Sequence, residues 1–163
     1  MKQLWAPWRL EYVAGDNGDN GCIFCVPESR DEDDDRLILH RGPAAFVILN
    51  RYPYSNGHLM VTPYRHCGSI DDLGEEEVID IHRLLVLSRK ALAAACHPDG
   101  FNIGLNLGQS AGAGVPDHVH YHVVPRWNGD TNFMTLFGEV RVIPEHLEAT
   151  FRRLKTEFER LLG

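Results

Sequence analysis

Apolar residues recur along this chain with two different periods. Arg36 to His40, Ala45 to Asn50 and Gly57 to Thr62 are short runs rich in Leu, Ile, Val and Phe, with the length and composition of strands. The turn-forming stretch Tyr52-Pro53-Tyr54-Ser55-Asn56-Gly57 precedes the third run, so the three read as an antiparallel meander. From Glu75 to about Cys96 the spacing becomes helical, with Val78, Ile81, Leu85, Leu92 and Ala95 as the apolar positions. Glu75, Glu76 and Glu77 fall in the first turn, where the helix dipole favours negative charge. Pro98-Asp99-Gly100 ends that helix. Phe101 to Leu107 alternates like a strand, and so does His118 to Val124 after a glycine-rich loop. Pro144 then opens an amphipathic helix with Leu147, Phe151, Leu154, Phe158 and Leu161 in one stripe. Strands flanking one central helix, followed by a C-terminal helix, predict an α+β fold with a mostly antiparallel sheet. The whole span 1–163 reads as a single domain.

A chain of 163 residues can bury about 70% of the surface its unfolded form exposes, so no disulfide framework is needed. The formal net charge of −7 argues against a general nucleic-acid binder, which would carry a basic excess; an anionic substrate must be caught locally. The N-terminal MKQLWAPWRLEYV lacks the apolar core of a signal peptide, and no stretch approaches the ~20 apolar residues of a membrane span. The expectation is a cytoplasmic protein without membrane contact. In that setting the tight pair Cys22-x-x-Cys25 reads as a metal half-site, and Cys67 and Cys96 as ordinary thiols. The acidic run Glu28 to Asp35 reads as a solvated spacer.

The most informative segment is His118-Val119-His120-Tyr121-His122-Val123-Val124-Pro125. Strand geometry puts the three histidines on one face and Val119, Tyr121 and Val123 on the other. Histidine has no special strand preference, so strict alternation asks for a chemical reason. Strand rise separates His118 from His122 by roughly 13 Å, too far for all three to share one ion with bonds near 2 Å. At least one imidazole is left for chemistry. With an ordinary pKa near 6.5 it is mostly neutral at cytosolic pH and able to attack phosphorus. Just upstream, the glycines of Gly108-Gln109-Ser110-Ala111-Gly112-Ala113-Gly114 permit backbone N–H groups to converge on an anion. The loop lacks the Gly-Lys-Ser/Thr of a P-loop; it reads either as a phosphate cradle or as a flexible connection.

His-x-His-x-His followed by two apolar residues resembles the signature of the histidine triad (HIT) superfamily of nucleotidyl hydrolases and transferases. Trp5-Ala6-Pro7-Trp8-Arg9, Cys22-Ile23-Phe24-Cys25, LNRYPYSNGHLMVTPYRH from Leu49 to His66, GLNLGQSAGAG and HVVPRWNGDTNF resemble the bacterial branch that phosphorolyses diadenosine tetraphosphate. The resemblance implies a HIT-like fold and a nucleophile at His120 that forms a covalent nucleotidyl-imidazole, with His122 as its hydrogen-bonded partner. It also implies a nucleoside pocket: Ile23 and Phe24 beside the base, Ile48 on the same wall, Asn50 at the ribose. Asn106, Gln109 and Ser110, with Gly112 and Gly114, would lie toward the α-phosphate. Asn50 stands where many relatives have Asp; an amide still bonds a ribose hydroxyl, without charge assistance. His58 matches a histidine frequent near the site and reads equally as a hydrogen-bonded scaffold residue. HIT proteins with this cysteine pair complete a structural zinc site with two histidines, here His66 and His118. Relatives form homodimers through the central helix and an adjoining strand, which points to Leu84, Val86, Leu87 and Ala93.

The leading expectation is therefore a nucleotidyltransferase that converts diadenosine tetraphosphate and inorganic phosphate to ATP and ADP. A HIT-type hydrolase of dinucleoside polyphosphates or nucleoside phosphoramidates shares the same intermediate, and His122 in place of the Gln of some phosphorylase branches keeps that alternative in view. A zinc-stabilised nucleotide-binding module without catalysis is the reading from a different class.

Overall fold

The computed structural model describes residues 21–130 and 145–163. Trp5-Ala6-Pro7-Trp8-Arg9, the Thr131 to Phe133 end of the HVVPRWNGDTNF segment and Pro144 lie outside the described residues. Among the described residues, five strands form one antiparallel sheet: β1 (Ile38–Arg41), β2 (Ala45–Leu49), β3 (Leu59–Pro63), β4 (Gly100–Leu105) and β5 (Tyr121–Arg126). They lie in the order β1-β2-β3-β5-β4, so the meander is followed by a crossover that inserts β5 beside β3. Among the described residues two α-helices pack with the sheet, α1 (Glu75–Cys96) and α2 (Leu147–Leu162). This is the HIT-type α+β architecture expected. None of the described helices is long and apolar enough to cross a membrane.

Period-2 alternation divides the strands between two faces. Leu39, Val47, Leu49, Leu59, Val61 and Val123 point to the helices, where Ile81, Leu84 and Leu92 of α1 and Phe151, Leu154 and Phe158 of α2 close one core. Ile38, Phe46 and Met60 point the other way and are covered by Phe24 from the cysteine segment. Val78 is half exposed; the core face of α1 instead follows Ile81, Leu84, Ser88, Ala91 and Leu92, the i, i+3, i+7 track. Leu84, expected at a subunit contact, therefore belongs to the core, while Val86 is exposed.

Two local devices set how the strands meet the site. Asp80 of α1 accepts from the N–H groups of Ala44 and Ala45 at 2.8 and 2.9 Å, pinning the β1–β2 turn to the helix. Gly42 is required there, since a Cβ would lie 2.6 Å from Asp80 Oδ2. The acidic run ends in a left-handed residue, Leu37 at φ 63°, with Leu37 N–H bonded to Asp34 O and Ile38 N–H to Asp33 O. This is a Schellman closure with leucine where glycine is usual, a strain of about 1–2 kcal/mol offset by burying the side chain in the core. The run is not a free spacer: Asp33 is bound by Arg41 at 2.6 Å, and the same guanidinium holds Pro27 O, just beyond the cysteine pair.

Candidate active site

One row of residues crosses all five strands: Ile38 opposite Ile48, Ile48 opposite Met60, Met60 opposite His122, and His122 opposite Gly104. Over β1 to β3 the row is apolar and roofed by Phe24; at β5 it becomes an imidazole. Burial, with His120 alongside, pushes the His122 pKa down to about 4 because the charged form loses hydration. The hydrogen-bonded strand starts at Tyr121, so His118 and His120 precede it, contrary to the expected strand from His118. Their stretch is held by other bonds: Val119 N–H donates to Cys67 O at 2.7 Å, and the Thr62 hydroxyl donates to Val119 O at 2.9 Å. The histidines are nevertheless neighbours. Phe24 lies 5.4 Å from the His118 ring and 4.8 Å from the His120 ring, and His120 and His122 are 5.0 Å apart.

Hydrogen bonds to groups that can only donate or only accept fix the protons. Tyr54 N–H donates to His58 Nδ1 at 3.0 Å, and the Asn50 amide nitrogen approaches the same atom at 3.3 Å. The neutral His58 ring therefore carries its proton on Nε2 and donates to His122 Nδ1 at 2.9 Å. That leaves the His122 proton on Nε2, an atom that is buried and has no protein partner. Next to it, His120 Nδ1 lies 2.8 Å from His118 O. A carbonyl only accepts, so Nδ1 holds the proton and Nε2 keeps the lone pair. Burial lowers the His120 pKa as well, favouring the neutral, nucleophilic ring. A nucleophilic nitrogen and an unpartnered N–H donor thus stand side by side. His58 is both scaffold and part of this relay, and its buried position makes the tautomer robust.

Among the described residues, Cys22, Cys25, His66 and His118 bring four donor atoms within 4.8 Å of one another. His118 Nε2–H donates to Pro63 O at 3.0 Å, which turns the lone pair of Nδ1 toward Cys22 Sγ at 3.3 Å and Cys25 Sγ at 3.9 Å. His66 Nδ1 is 3.4 Å from Cys25 Sγ. Two thiols, two imidazoles and a carbonyl orienting the buried histidine make a donor set that fits a structural Zn²⁺. Burial and then the neighbouring Cys22 sulfur push the Cys25 thiol up; a divalent cation inverts that preference. Burial likewise pushes up the Cys67 and Cys96 thiols, in keeping with ordinary protonated cysteines.

The remaining candidate residues are placed unevenly. Ile23 is 62% exposed while Phe24 is buried against the histidines, so the two central residues of the cysteine loop point in opposite senses. Ile48 packs against the Phe24 cluster. Asn50 is tied into the relay, its Oδ1 accepting from Tyr52 N–H at 2.9 Å. The glycine loop forms a 3-10 turn, Gln109–Ala111, with Gly108 and Gly112 at φ 78° and 88°. The N–H groups of Ala111, Gly112 and Ala113 close this turn on Gly108 O and Gln109 O, so those three are not offered to an anion. Asn106 braces it through Gly112 O at 3.4 Å, and Gln109, Ser110 and Gly114 are exposed. A groove beside His122 is lined in addition by Tyr54, Asn102 and Gly104, which the sequence reading did not single out. Their signal lay in the alternation of Phe101 to Leu107, which puts Asn102 and Gly104 on the His122 face once β4 pairs with β5.

A sheet that aligns a buried histidine cluster beside a Cys-x-x-Cys pair defines an α+β protein of the histidine triad kind. Residues 30–129 match the HIT domain model, and the chain belongs to the HIT family. It is 38% identical, over 98% of its length and 86% of the relative's, to the AP-4-A phosphorylase of Mycobacterium tuberculosis. It is 28% identical to the adenosine 5'-monophosphoramidase of Schizosaccharomyces pombe, over 85% of this chain and 98% of that one. Among solved structures, the Zn-bound histidine triad family protein of Mycobacterium smegmatis superposes with a TM-score of 0.67 at 28% identity, covering 86% of this chain and 95% of that chain.

Proposed function

We propose that this chain is a diadenosine tetraphosphate phosphorylase that works through a covalent adenylyl-histidine. The observation that carries the reading is the pair of fixed ring nitrogens, the lone pair on His120 Nε2 and the proton on His122 Nε2. In the first half-reaction His120 Nε2 attacks the α-phosphorus; the P–N bond forms as the bridging P–O bond breaks, and the electron pair leaves with ATP. His122 Nε2–H, held in place by His58, donates a hydrogen bond to the oxygen that gains charge. In the second, an oxygen of inorganic phosphate attacks the same phosphorus, the P–N bond breaks, and ADP and free His120 result. The nucleoside side of the site is assigned to Ile23, Phe24, Ile48 and Asn50, and the phosphate side to Asn106, Gln109, Ser110 and Gly114, with Gly112, whose own N–H closes the turn, shaping the loop.

Cys22, Cys25, His66 and His118 would hold one Zn²⁺, which supplies cross-linking and no chemistry, since its ligands leave the nucleophile to His120. The whole chain acts as one domain, 1–163, in the cytoplasm. It pairs as a homodimer through the exposed Ile79 and Val86 of α1 and Ile103 of the edge strand β4, apolar side chains that are 42%, 41% and 47% exposed. Water as acceptor in place of phosphate would give AMP, the hydrolase reading that the phosphoramidase relative favours.

The test is incubation with diadenosine tetraphosphate labelled at the α-phosphate. Acid-labile, base-stable label on His120, and ADP replacing AMP when phosphate is supplied, are expected. Label on another residue, or none, rejects the covalent mechanism; AMP as the product at saturating phosphate rejects phosphorolysis.

A further inference from the structure

The groove beside His122 lies on the open part of the sheet face, away from the Phe24 roof. Gly104, Val124, Tyr54, Asn102, Asn106 and His122 are among the residues that line it. Gly104 stands directly opposite His122 in the β4–β5 ladder, and a Cβ there would meet nothing within 4 Å. The absence of a side chain at this one position keeps the space next to the imidazole open. The volume is about 290 Å³, at the small end of the range for ligand sites and enough for one sugar–base unit without its phosphate chain.

The chemistry of the lining selects an uncharged guest. The residues around the groove carry no charged side chain. Arg126, on the same strand face, is bound to Asp130 at 2.6 and 2.7 Å and to Asn102 Oδ1 at 2.8 Å. That bond occupies the Asn102 oxygen and leaves its amide hydrogens as the donor presented there. Tyr54, 44% exposed, sets its ring 5.5 Å from His122 and offers a stacking surface. The His122 ring also lines this groove, so a substrate that reacts beside the histidines has part of its length seated next to it.

We infer that the groove receives the second nucleoside of the substrate, the sugar–base end of the departing nucleotide, with the intervening phosphates at its rim. This rests on the adenylyl-transfer reading above and extends it: Gly104, Tyr54 and Asn102 become specificity residues for a dinucleotide over a mononucleotide of equal phosphate length.

The experiment compares kcat/KM for diadenosine tetraphosphate with that for adenosine 5'-tetraphosphate, which lacks only the second nucleoside. The wild-type protein favours the dinucleotide. In Gly104→Val, which fills that space, the ratio falls by roughly tenfold or more, the scale on which a lost pocket contact changes discrimination. Tyr54→Leu lowers it in the same direction, and Gly100→Val, on the same strand outside the groove, leaves the ratio as in wild type. An unchanged ratio in both groove variants, or an equal loss for the two substrates, overturns the proposal. Labelling of the wild-type protein by adenosine 5'-phosphorimidazolide separates this from the reading beneath it. If His120 is labelled and the ratio does not move, only the groove assignment falls; if no label forms, the transfer reading falls and takes the groove with it.

Discussion

The two faces of the sheet are built from the same strands and the same alternation, yet they are closed in opposite ways. The helix face is sealed by long apolar side chains, with Leu154 and Phe158 at 0% and 1% exposure. Polar groups there are few, as interior packing favours. The other face is covered over β1 to β3 by Phe24, with Val26, Tyr64 and Val115 packed around it, and gives way at β5 to a cluster of imidazoles held by hydrogen bonds on His58, on His118 and on Nδ1 of both His120 and His122. The lesson is a division of labour. One face holds the fold together, and the other spends burial on fixing tautomers and lowering histidine pKa values.

The largest expected contrast comes from one substitution on each face. His120→Ala should fold and keep its metal, at a stability cost of about 1–2 kcal/mol. Its turnover should fall by roughly 10⁴-fold or more, as loss of a covalent nucleophile does. Phe158→Ala should show the converse, losing about 3–5 kcal/mol of stability from the cavity and lost transfer energy, while the folded fraction still takes label on His120. Denaturant unfolding and labelling on the same two variants check this. Comparable activity loss per folded molecule in both would mean the faces are not separable.

A smaller effect is expected where the two roles meet. Cys22→Ser, or stripping metal with a chelator, should remove the ion and cost several kcal/mol, read as a fall in Tm with metal content well under one zinc per chain. Because Phe24 lies between the cysteines and against His120, this variant should also slow labelling in the remaining folded protein. Unchanged metal content and Tm would show that the four donors hold no structural ion.

The smallest is a pH effect confined to the histidine face. His122 titrates ordinarily near 6.5 and in the fold at about 4, and burial lowers His40, His118 and His120 too. Between about pH 6.5 and 4 the unfolded chain therefore binds protons that the folded chain refuses. Stability falls as pH drops through that window and is untouched by these groups above it. Thermal melts should give a constant Tm from pH 8 to 7 and a declining one below 6.5, with His122→Gln reducing the slope. A Tm that does not change between pH 7 and 5 would contradict the burial assigned to these rings.

Local patterning carried the elements, because strand alternation and helical spacing are properties of neighbouring residues. The helix over Glu75–Cys96, the stripe of Leu147, Phe151, Leu154, Phe158 and Leu161 and the alternation of the triad histidines are all legible in the chain. So was the grouping of Cys22, Cys25, His66 and His118, although only through resemblance, since Cys22 and His118 are 96 residues apart. What the tertiary structure alone decided depends on pairing between distant segments. Val78 leaves the core and Leu84 enters it because the phase of α1 is set by the sheet beneath. The ladder begins at Tyr121 because the Val119 N–H bonds Cys67 O and its carbonyl accepts from the Thr62 side-chain hydroxyl, so neither joins a backbone pair with β3. His58 orients His122 across 64 residues, and Gly104 opens a groove only because β4 registers it opposite that imidazole. Periodicity assigns a residue to a face; register and the hydrogen-bond partners that register supplies determine which proton each histidine holds.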